Sequence, residues 1–214
     1  MIARRKRTVA GNVKPAANAG LTLYATLDSL PSDWARLVLA EKEVDSARVR
    51  LLRPGEFDED LATLNPGQSM PTLADREGVL TGAAVIAEYL DERYPHPKLM
   101  PPAPAERARI RMALRHIEQE ILPLTIEATT ADRKSRGKLA AALHELVQTG
   151  ARRYGSHGWY LGLEFNLVDC LIAVMLLRVQ PAELASSPVL AQYAQRLAAR
   201  PAFRACFEAR VIKP

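Results

Sequence analysis

The amino-acid sequence predicts an α/β domain followed by an all-helical domain. Three observations predict this fold class: strand-like and helix-like segments alternate up to about residue 94, the stretch 95–104 holds five prolines in ten residues, and apolar residues beyond it recur every three or four positions. The chain has 214 residues, 48% apolar and 25% charged. It is therefore long enough to bury a substantial core, and its composition excludes a collagen, a wholly disordered chain and a disulfide framework.

The first domain is predicted to be a small mixed sheet covered by helices. Arg48-Val49-Arg50-Leu51 alternates polar and apolar side chains, which is typical of a strand. Ser32 and Asp33 are favoured helix N-cap residues, and Asn65-Pro66-Gly67 ends a short helix. The predicted order is strand 21–26, helix 34–42, strand 48–51, helix 57–64, strands 71–74 and 79–81, and helix 83–93.

The proline-dense stretch is the predicted domain boundary, because proline donates neither to a helix nor to a sheet ladder. Beyond it, helical spacing is kept by two sets of apolar residues: Ile110, Leu114, Ile117, Ile121 and Leu124, and then Leu139, Leu143 and Leu146. Further helices are predicted over 166–177 and 189–199. The predicted organisation is a basic tail over 1–20, a first domain over 21–98, a linker over 99–104 and a helical domain over 105–214.

The net charge of +5 comes largely from the first residues of the chain. Arg4 to Arg7 supply four positive charges, and residues 8–214 hold 25 basic and 24 acidic side chains, a net of +1. The basic tail could touch nucleic acid, but a solvated terminus is the commoner role of such a run. Residues 8–14 lack the apolar segment of a signal peptide, and no apolar run approaches the roughly 20 residues that cross a membrane. Two cysteines without metal-ligand spacing fit a reducing cytoplasm.

Three segments resemble the glutathione transferase-like superfamily: Leu64 to Leu73, Asn166 to Asp169 and Arg200 to Phe203. The first resembles the loop that carries a cis-proline in its thioredoxin-like domain, which implies a cis peptide before Pro71 and a Met70 backbone presented to a ligand. The second resembles a helix cap in which two side chains satisfy free amides reciprocally. The resemblance implies an N-terminal thioredoxin-like domain and a C-terminal helical domain over about residues 21–210.

A narrower resemblance, to the stringent starvation protein A family, is carried by Val38 to Lys42, Leu64 to Leu73, Glu88 to Pro97 and Leu99 to Pro101. That family comprises bacterial RNA polymerase-associated transcription regulators. The resemblance implies a non-catalytic role in the stress and starvation response, a cytoplasmic homodimer, and binding to polymerase holoenzyme and its primary sigma factor, with DNA contacted only indirectly. It also implies a protein-binding surface made by Tyr94, Pro95, His96 and Pro97.

Two side chains expected at a glutathione site are missing. Superfamily members that bind glutathione usually carry Glu-Ser at the start of the helix after the fourth strand, where this chain has Gly82-Ala83. Losing a charged and a hydroxyl contact costs roughly 2–5 kcal/mol, or about 30- to 4,000-fold in affinity. We therefore predict a vestigial glutathione site formed by Ser29, Ser32, Met70, Pro71, Gly82 and Ala83.

The chemistry around the first helix leaves two interpretations open. No cysteine lies there, but Ser29 or Ser32 is close to where a catalytic serine would sit; the alternative is that Ser32 caps the helix and Ser29 lines a turn. The second function considered is thus a divergent glutathione-dependent transferase or isomerase. No phosphate loop, dinucleotide motif or metal-ligand spacing occurs, so neither a cofactor nor a metal is predicted.

The segment Pro95-His96-Pro97 also has two interpretations. Each proline fixes its own φ and restricts the residue before it, so the segment is a stiff ridge that loses little entropy on binding a partner. The imidazole of His96 supplies a donor and an acceptor. The alternative is an interdomain linker with an exposed histidine; the surrounding match over 88–101 favours the partner-binding role.

Overall fold

We describe residues 20–130, 133–155 and 157–207 of a computed structural model, excluding the side chains of residues 129, 130 and 133. Within these ranges the chain forms two compact units. Residues 20–36 and 43–89 make the first, and residues 37–42 and 90–207 make the second, so the last turns of two helices belong to the second unit. The boundaries predicted from the sequence remain predictions, and the tail over 1–19 lies outside the described residues.

The first unit contains a four-stranded sheet within the described ranges. Its strands are β1 (Thr22–Thr26), β2 (Arg48–Leu52), β3 (Thr72–Asp75) and β4 (Gly78–Thr81), in the spatial order β2-β1-β3-β4. β1 and β2 are parallel and joined through α1 (Leu30–Glu41), whereas β3 pairs antiparallel with both β1 and β4. The short helix α2 (Glu59–Leu64) and α3 (Ala83–Arg93) complete the predicted order. The mixed sheet and the helix 83–93 are confirmed.

The start of α1 was predicted wrongly. The helix begins at Leu30 rather than Trp34, since Pro31 needs no hydrogen-bond partner in a first turn. Ser32 is therefore inside the helix and does not cap it. Its fully buried hydroxyl instead accepts a hydrogen bond of 3.0 Å from the backbone N–H of Thr26. The hydroxyl thus joins the end of β1 to the first turn of α1.

The second unit is built from helices. They are α4 (Pro104–His116), α5 (Leu122–Thr130), α6 (Arg133–Tyr154), α7 (Leu167–Leu176), α8 (Pro181–Ala185), α9 (Pro188–Ala198) and α10 (Pro201–Phe207). A π-helical turn over Ile117–Ile121 connects α4 to α5. The sequence predicted one helical run over 110–124, where the structure has α4, the π-helical turn and α5. It did not predict α8 or α10. Among the residues that the structure describes, no helix has both the length and the hydropathy needed to cross a membrane.

The buried helix α7 begins with the predicted reciprocal cap. The side chain of Asn166 accepts a 2.9 Å bond from the Val168 amide, and the carboxylate of Asp169 accepts a 3.0 Å bond from the Asn166 amide. Asp169 also accepts from the Tyr160 amide at 2.9 Å and from the Tyr193 hydroxyl. Burial raises the pKa of Asp169 to about 6. Every residue of α7 is buried, so this cap organises the centre of the helical unit.

Candidate functional site

The loop before β3 has the backbone geometry that the resemblance implies. The peptide between Met70 and Pro71 is cis, and Pro71 is buried. The side-chain amide of Asn65 donates to the Thr72 hydroxyl at 2.9 Å and to the Ser69 carbonyl at 3.2 Å. The Thr72 hydroxyl donates to the same carbonyl at 2.6 Å, so the loop is held by its own polar side chains.

The two serines at the start of α1, Ser29 and Ser32, have different environments. The hydroxyl of Ser32 is buried and bonded to the Thr26 amide, so it is engaged in holding the backbone. Ser29 is half-buried, and its carbonyl accepts a 2.8 Å bond from the Asp33 amide in the first turn of α1. The turn before it includes Asp28, which has a φ of 60°. These contacts account for both serines as parts of the β1–α1 connection.

Gly82 and Ala83 leave the start of α3 without a charged or hydroxyl side chain. Gly82 has a φ of +91°, and its carbonyl accepts a 3.0 Å bond from the Ile86 amide. A Cβ at position 82 would meet no atom within 4 Å, although the positive φ disfavours an L residue there. The site offers a ligand backbone amides, with no acid or hydroxyl at these two positions.

The thiol of Cys170, which lies within the capped helix α7, is not placed for chemistry. Cys170 is completely buried in α7, and burial raises the pKa of its thiol well above the ordinary value. A thiol with a raised pKa is protonated at neutral pH and is a poor nucleophile.

The predicted protein-binding residues follow directly after α3 in the second unit. Tyr94 is half-buried, whereas Pro95, His96 and Pro97 are exposed. The peptide between His96 and Pro97 is cis. We call residues 95–97 the ridge. Behind the ridge the chain returns to the interior, because Leu99 and Met100 are only 2% and 3% exposed.

An apolar pocket of about 660 Å³ adjoins the ridge within the helical unit. Pro97 belongs to both features. The pocket's apolar lining includes Leu99, Pro101, Ile110, Leu161, Leu163 and Phe165, and its charged lining consists of Lys98, Arg109, Arg153, Glu106 and Glu164. Sequence reasoning missed this pocket because its walls come from segments more than 40 residues apart in the chain. The one signal of the pocket in the sequence was Leu163, an apolar residue outside the predicted helices. In the structure its side chain is 72% exposed at the pocket.

Two charged residues beneath the ridge were also missed. Lys42 directly follows α1, and Asp91 lies in the last turns of α3. Their side chains form an ion pair of 2.5 Å that is 0% and 6% exposed. The only signal in the sequence was that Lys42 and Asp91 lie in two of the segments that carry the family resemblance, Val38 to Lys42 and Glu88 to Pro97.

Comparison with known proteins places the fold and the family. A family model described as "Glutathione S-transferase, N-terminal domain" matches residues 23–98. The crystal structure of a glutathione S-transferase from the Antarctic clam Laternula elliptica superposes with a TM-score of 0.74 at 22% identity, covering 88% of this chain and 92% of that one. The chain therefore has the glutathione transferase-like fold, with an N-terminal thioredoxin-like domain and a C-terminal helical domain.

The sequence relatives narrow this assignment. A stringent starvation protein A homologue from Pasteurella multocida is 37% identical over 160 residues, which cover 75% of each chain. The chain belongs to the stringent starvation protein A family. This family membership confirms the narrower resemblance read from residues 38–42, 64–73 and 88–101. A probable maleylacetoacetate isomerase from Vibrio cholerae is 30% identical over 205 residues, covering 86% of this chain and 93% of the isomerase.

Proposed function

We propose that this stringent starvation protein A family member is a non-catalytic transcription regulator that binds RNA polymerase holoenzyme and its primary sigma factor. The ridge at residues 95–97, with Tyr94 at its base, is the proposed contact surface. The regulator acts in the stress and starvation response, in a reducing cytoplasm, which fits two cysteines that form no disulfide. It acts as a homodimer and reaches DNA only through the polymerase.

The observation that carries the proposal is the exposed imidazole between two prolines at the edge of an apolar pocket. A stiff segment loses little conformational entropy on binding, and the pocket next to it offers apolar surface to desolvate. Lys98, Arg109 and Arg153 contribute three cations to the same pocket, and Glu106 and Glu164 contribute two anions, for a net charge of +1. The pocket and ridge together therefore favour a protein partner with apolar side chains next to charged ones, among which acids slightly outnumber bases.

The glutathione site supports the non-catalytic part of the proposal. A glutathione enzyme needs an acid for the ligand's ammonium and a donor for its thiolate. Gly82 and Ala83 supply neither group, the Ser32 hydroxyl is buried in a backbone contact, and Cys170 is a buried thiol. We propose that this site is vestigial and that Ser29, Ser32, Met70, Pro71, Gly82 and Ala83 now serve the fold.

The proposal is tested by co-purification from the native host. A tagged wild-type protein should retain RNA polymerase subunits and the primary sigma factor. The variant with Pro95, His96 and Pro97 all changed to alanine should lose most of that retention, because its backbone is no longer restricted and its imidazole is absent. Circular dichroism and thermal unfolding establish that the variant is folded.

A matched control changes the same residue types elsewhere. The control replaces two exposed prolines and one exposed histidine outside the ridge, Pro54, Pro66 and His157, by alanine. This variant should retain as much polymerase as the wild type. Equal retention by wild-type protein and the folded ridge variant would contradict the proposed surface. Equal loss in both triple variants would show that the effect is not specific to the ridge.

A second candidate, a divergent glutathione-dependent transferase or isomerase, is favoured by one relative and one loop. The Vibrio cholerae isomerase aligns over 86% of this chain, and the cis peptide before Pro71 is present. Passing one cell extract over glutathione resin and over a polymerase-affinity resin separates the candidates. Retention on glutathione, with turnover that is lost in Ser29→Ala or Ser32→Ala, would establish the enzyme.

A further inference from the structure

A buried ion pair lies directly behind the ridge. Lys42 Nζ donates to Asp91 Oδ1 at 2.5 Å and to the Pro97 carbonyl at 2.5 Å. Asp91 Oδ1 also accepts from the Leu99 amide at 2.7 Å, and Oδ2 accepts from the Met100 amide at 3.1 Å. The two side chains thus bond to three backbone groups in the four residues that begin with the last proline of the ridge.

The same segment is tied to the helical core at one further point. The Leu99 carbonyl accepts a 3.1 Å bond from the amide of Leu167, the first residue of α7. The backbone of residue 99 is therefore fixed on both sides, to Asp91 through its amide and to α7 through its carbonyl. The exposed ridge and its buried continuation are joined through Pro97 and Lys98.

The physical chemistry indicates a role other than overall stability. Removing a lysine and an aspartate from water is expensive, and replacing a buried ion pair by apolar residues is often neutral or stabilising for folding. What such a pair contributes is directional: each bond to a backbone group is satisfied in one arrangement of the loop. The pair should therefore select one conformation of residues 97–100 over alternatives of similar packing.

We propose that Lys42 and Asp91 are positioning residues that hold the ridge in its partner-binding conformation. This inference rests on the proposed function and specifies how that surface is kept ready. A partner that binds one loop conformation has its apparent affinity reduced by the fraction of molecules in other conformations. Loss of the pair should thus weaken binding without removing any atom from the ridge.

The test uses three variants of the full chain. Lys42→Met keeps the buried stem and removes the ammonium, Asp91→Asn keeps the shape and removes the charge, and the double variant leaves no unpaired buried charge. In Asp91→Asn and the double variant, hydrogen exchange at the Leu99 and Met100 amides should accelerate about 10- to 100-fold. In all three variants, the affinity for polymerase holoenzyme should fall about 3- to 10-fold.

Matched controls change an exposed residue of the same charge. Lys138→Met removes an exposed lysine from α6. Glu92→Gln neutralises an exposed acid next to Asp91 in the chain; the Glu92 carboxylate pairs with Arg107 at 2.6 Å. Neither residue belongs to the bonds that join Lys42 and Asp91 to residues 97–100, so exchange and affinity should both match the wild type. Urea unfolding of every variant separates loss of folded protein from loss of loop order.

The decisive comparison places Lys42→Met in a His96→Ala background. If the pair acts through the ridge, its loss should weaken binding less in that background than in the wild type, because part of the contact is already absent. An equal loss in both backgrounds would overturn the inference, as would unchanged affinity or unchanged exchange in the double variant. The triple-alanine ridge variant distinguishes the failures: if it still binds polymerase, the proposed function fails, and if it alone loses binding, only the positioning role fails.

Discussion

Replacing Asp169 should be among the most damaging single changes in the helical unit. The carboxylate is fully buried and accepts hydrogen bonds from three donors, the amides of Tyr160 and Asn166 and the hydroxyl of Tyr193. Asp169→Ala leaves these donors without that acceptor. A buried donor without a partner costs about 1–3 kcal/mol, so the gross loss is roughly 3–9 kcal/mol.

Part of this loss is offset at neutral pH. Because burial raises the pKa of Asp169 from its usual 3.8 to about 6, the charged form is disfavoured in the folded chain by roughly 3 kcal/mol. We therefore expect Asp169→Ala to lower the free energy of unfolding at pH 7 by roughly 0–6 kcal/mol, centred on about 3 kcal/mol. For a chain of this size, a loss of about 3 kcal/mol corresponds to a fall in Tm of about 6–12 °C.

The same pKa shift gives the pH dependence a definite sign. Between pH 4 and pH 6 the folded state binds more protons at Asp169 than the unfolded state does, so stability falls as the pH rises through this range. Asp169→Asn has no titrating group at this position. The difference in unfolding free energy between wild type and Asp169→Asn should therefore be greatest near pH 4 and shrink by up to about 3 kcal/mol by pH 7.

Urea unfolding followed by circular dichroism from pH 4 to pH 7.5 measures this difference. Glu145→Gln, which neutralises an exposed acid on α6, is the control and should give a small difference throughout. A wild-type minus Asp169→Asn difference that stays constant over the whole pH range would refute the reasoning, because it would mean that burial does not raise the carboxyl pKa. A difference that grows with pH would show the opposite shift.

Three other outcomes are expected. Arg200→Lys should lower the unfolding free energy by about 1–3 kcal/mol in urea titrations, because lysine cannot reproduce the pair of bonds, 2.7 and 2.6 Å, that the guanidinium donates to the buried carboxylate of Glu41. Unchanged stability would contradict the value assigned to this pair. Gly158→Ala should destabilise the protein by about 1–3 kcal/mol, since the new Cβ would lie 2.5 Å from Tyr154 Cβ. The control Gly137→Ala meets open space in α6, so it should leave the Tm unchanged or raise it in thermal unfolding. A Tm of Gly158→Ala equal to that of the wild type would exclude the clash. The double variant Gly82→Glu with Ala83→Ser should bind glutathione more tightly than the wild type in calorimetry. The gain should be less than about 4,000-fold, because a glutamate at residue 82 is strained by its positive φ. An affinity no higher than that of the wild type would show that these two positions do not limit binding.

The sequence predicted secondary structure correctly where interactions between residues close together in the chain decide it. Helix α3 was predicted residue for residue, and the reciprocal cap of Asn166 and Asp169 was predicted from two side chains three positions apart. The start of α1 was not, since Ser32 is equally suited to capping and to bonding the Thr26 amide, and only the position of β1 decides between them.

What the sequence determined by itself is the fold class, the family resemblance and the exposed proline–histidine ridge. The fold class follows from periodicity, the stiffness of the ridge follows from its prolines, and the family resemblance rests on short matching segments. The pocket beside the ridge and the Lys42–Asp91 pair behind it were decided only by the tertiary structure. Both depend on distances between residues far apart in the chain, such as 42 and 91, which no local pattern encodes. Burial then changes the chemistry, because a charge removed from water is stable only where folding brings it a partner.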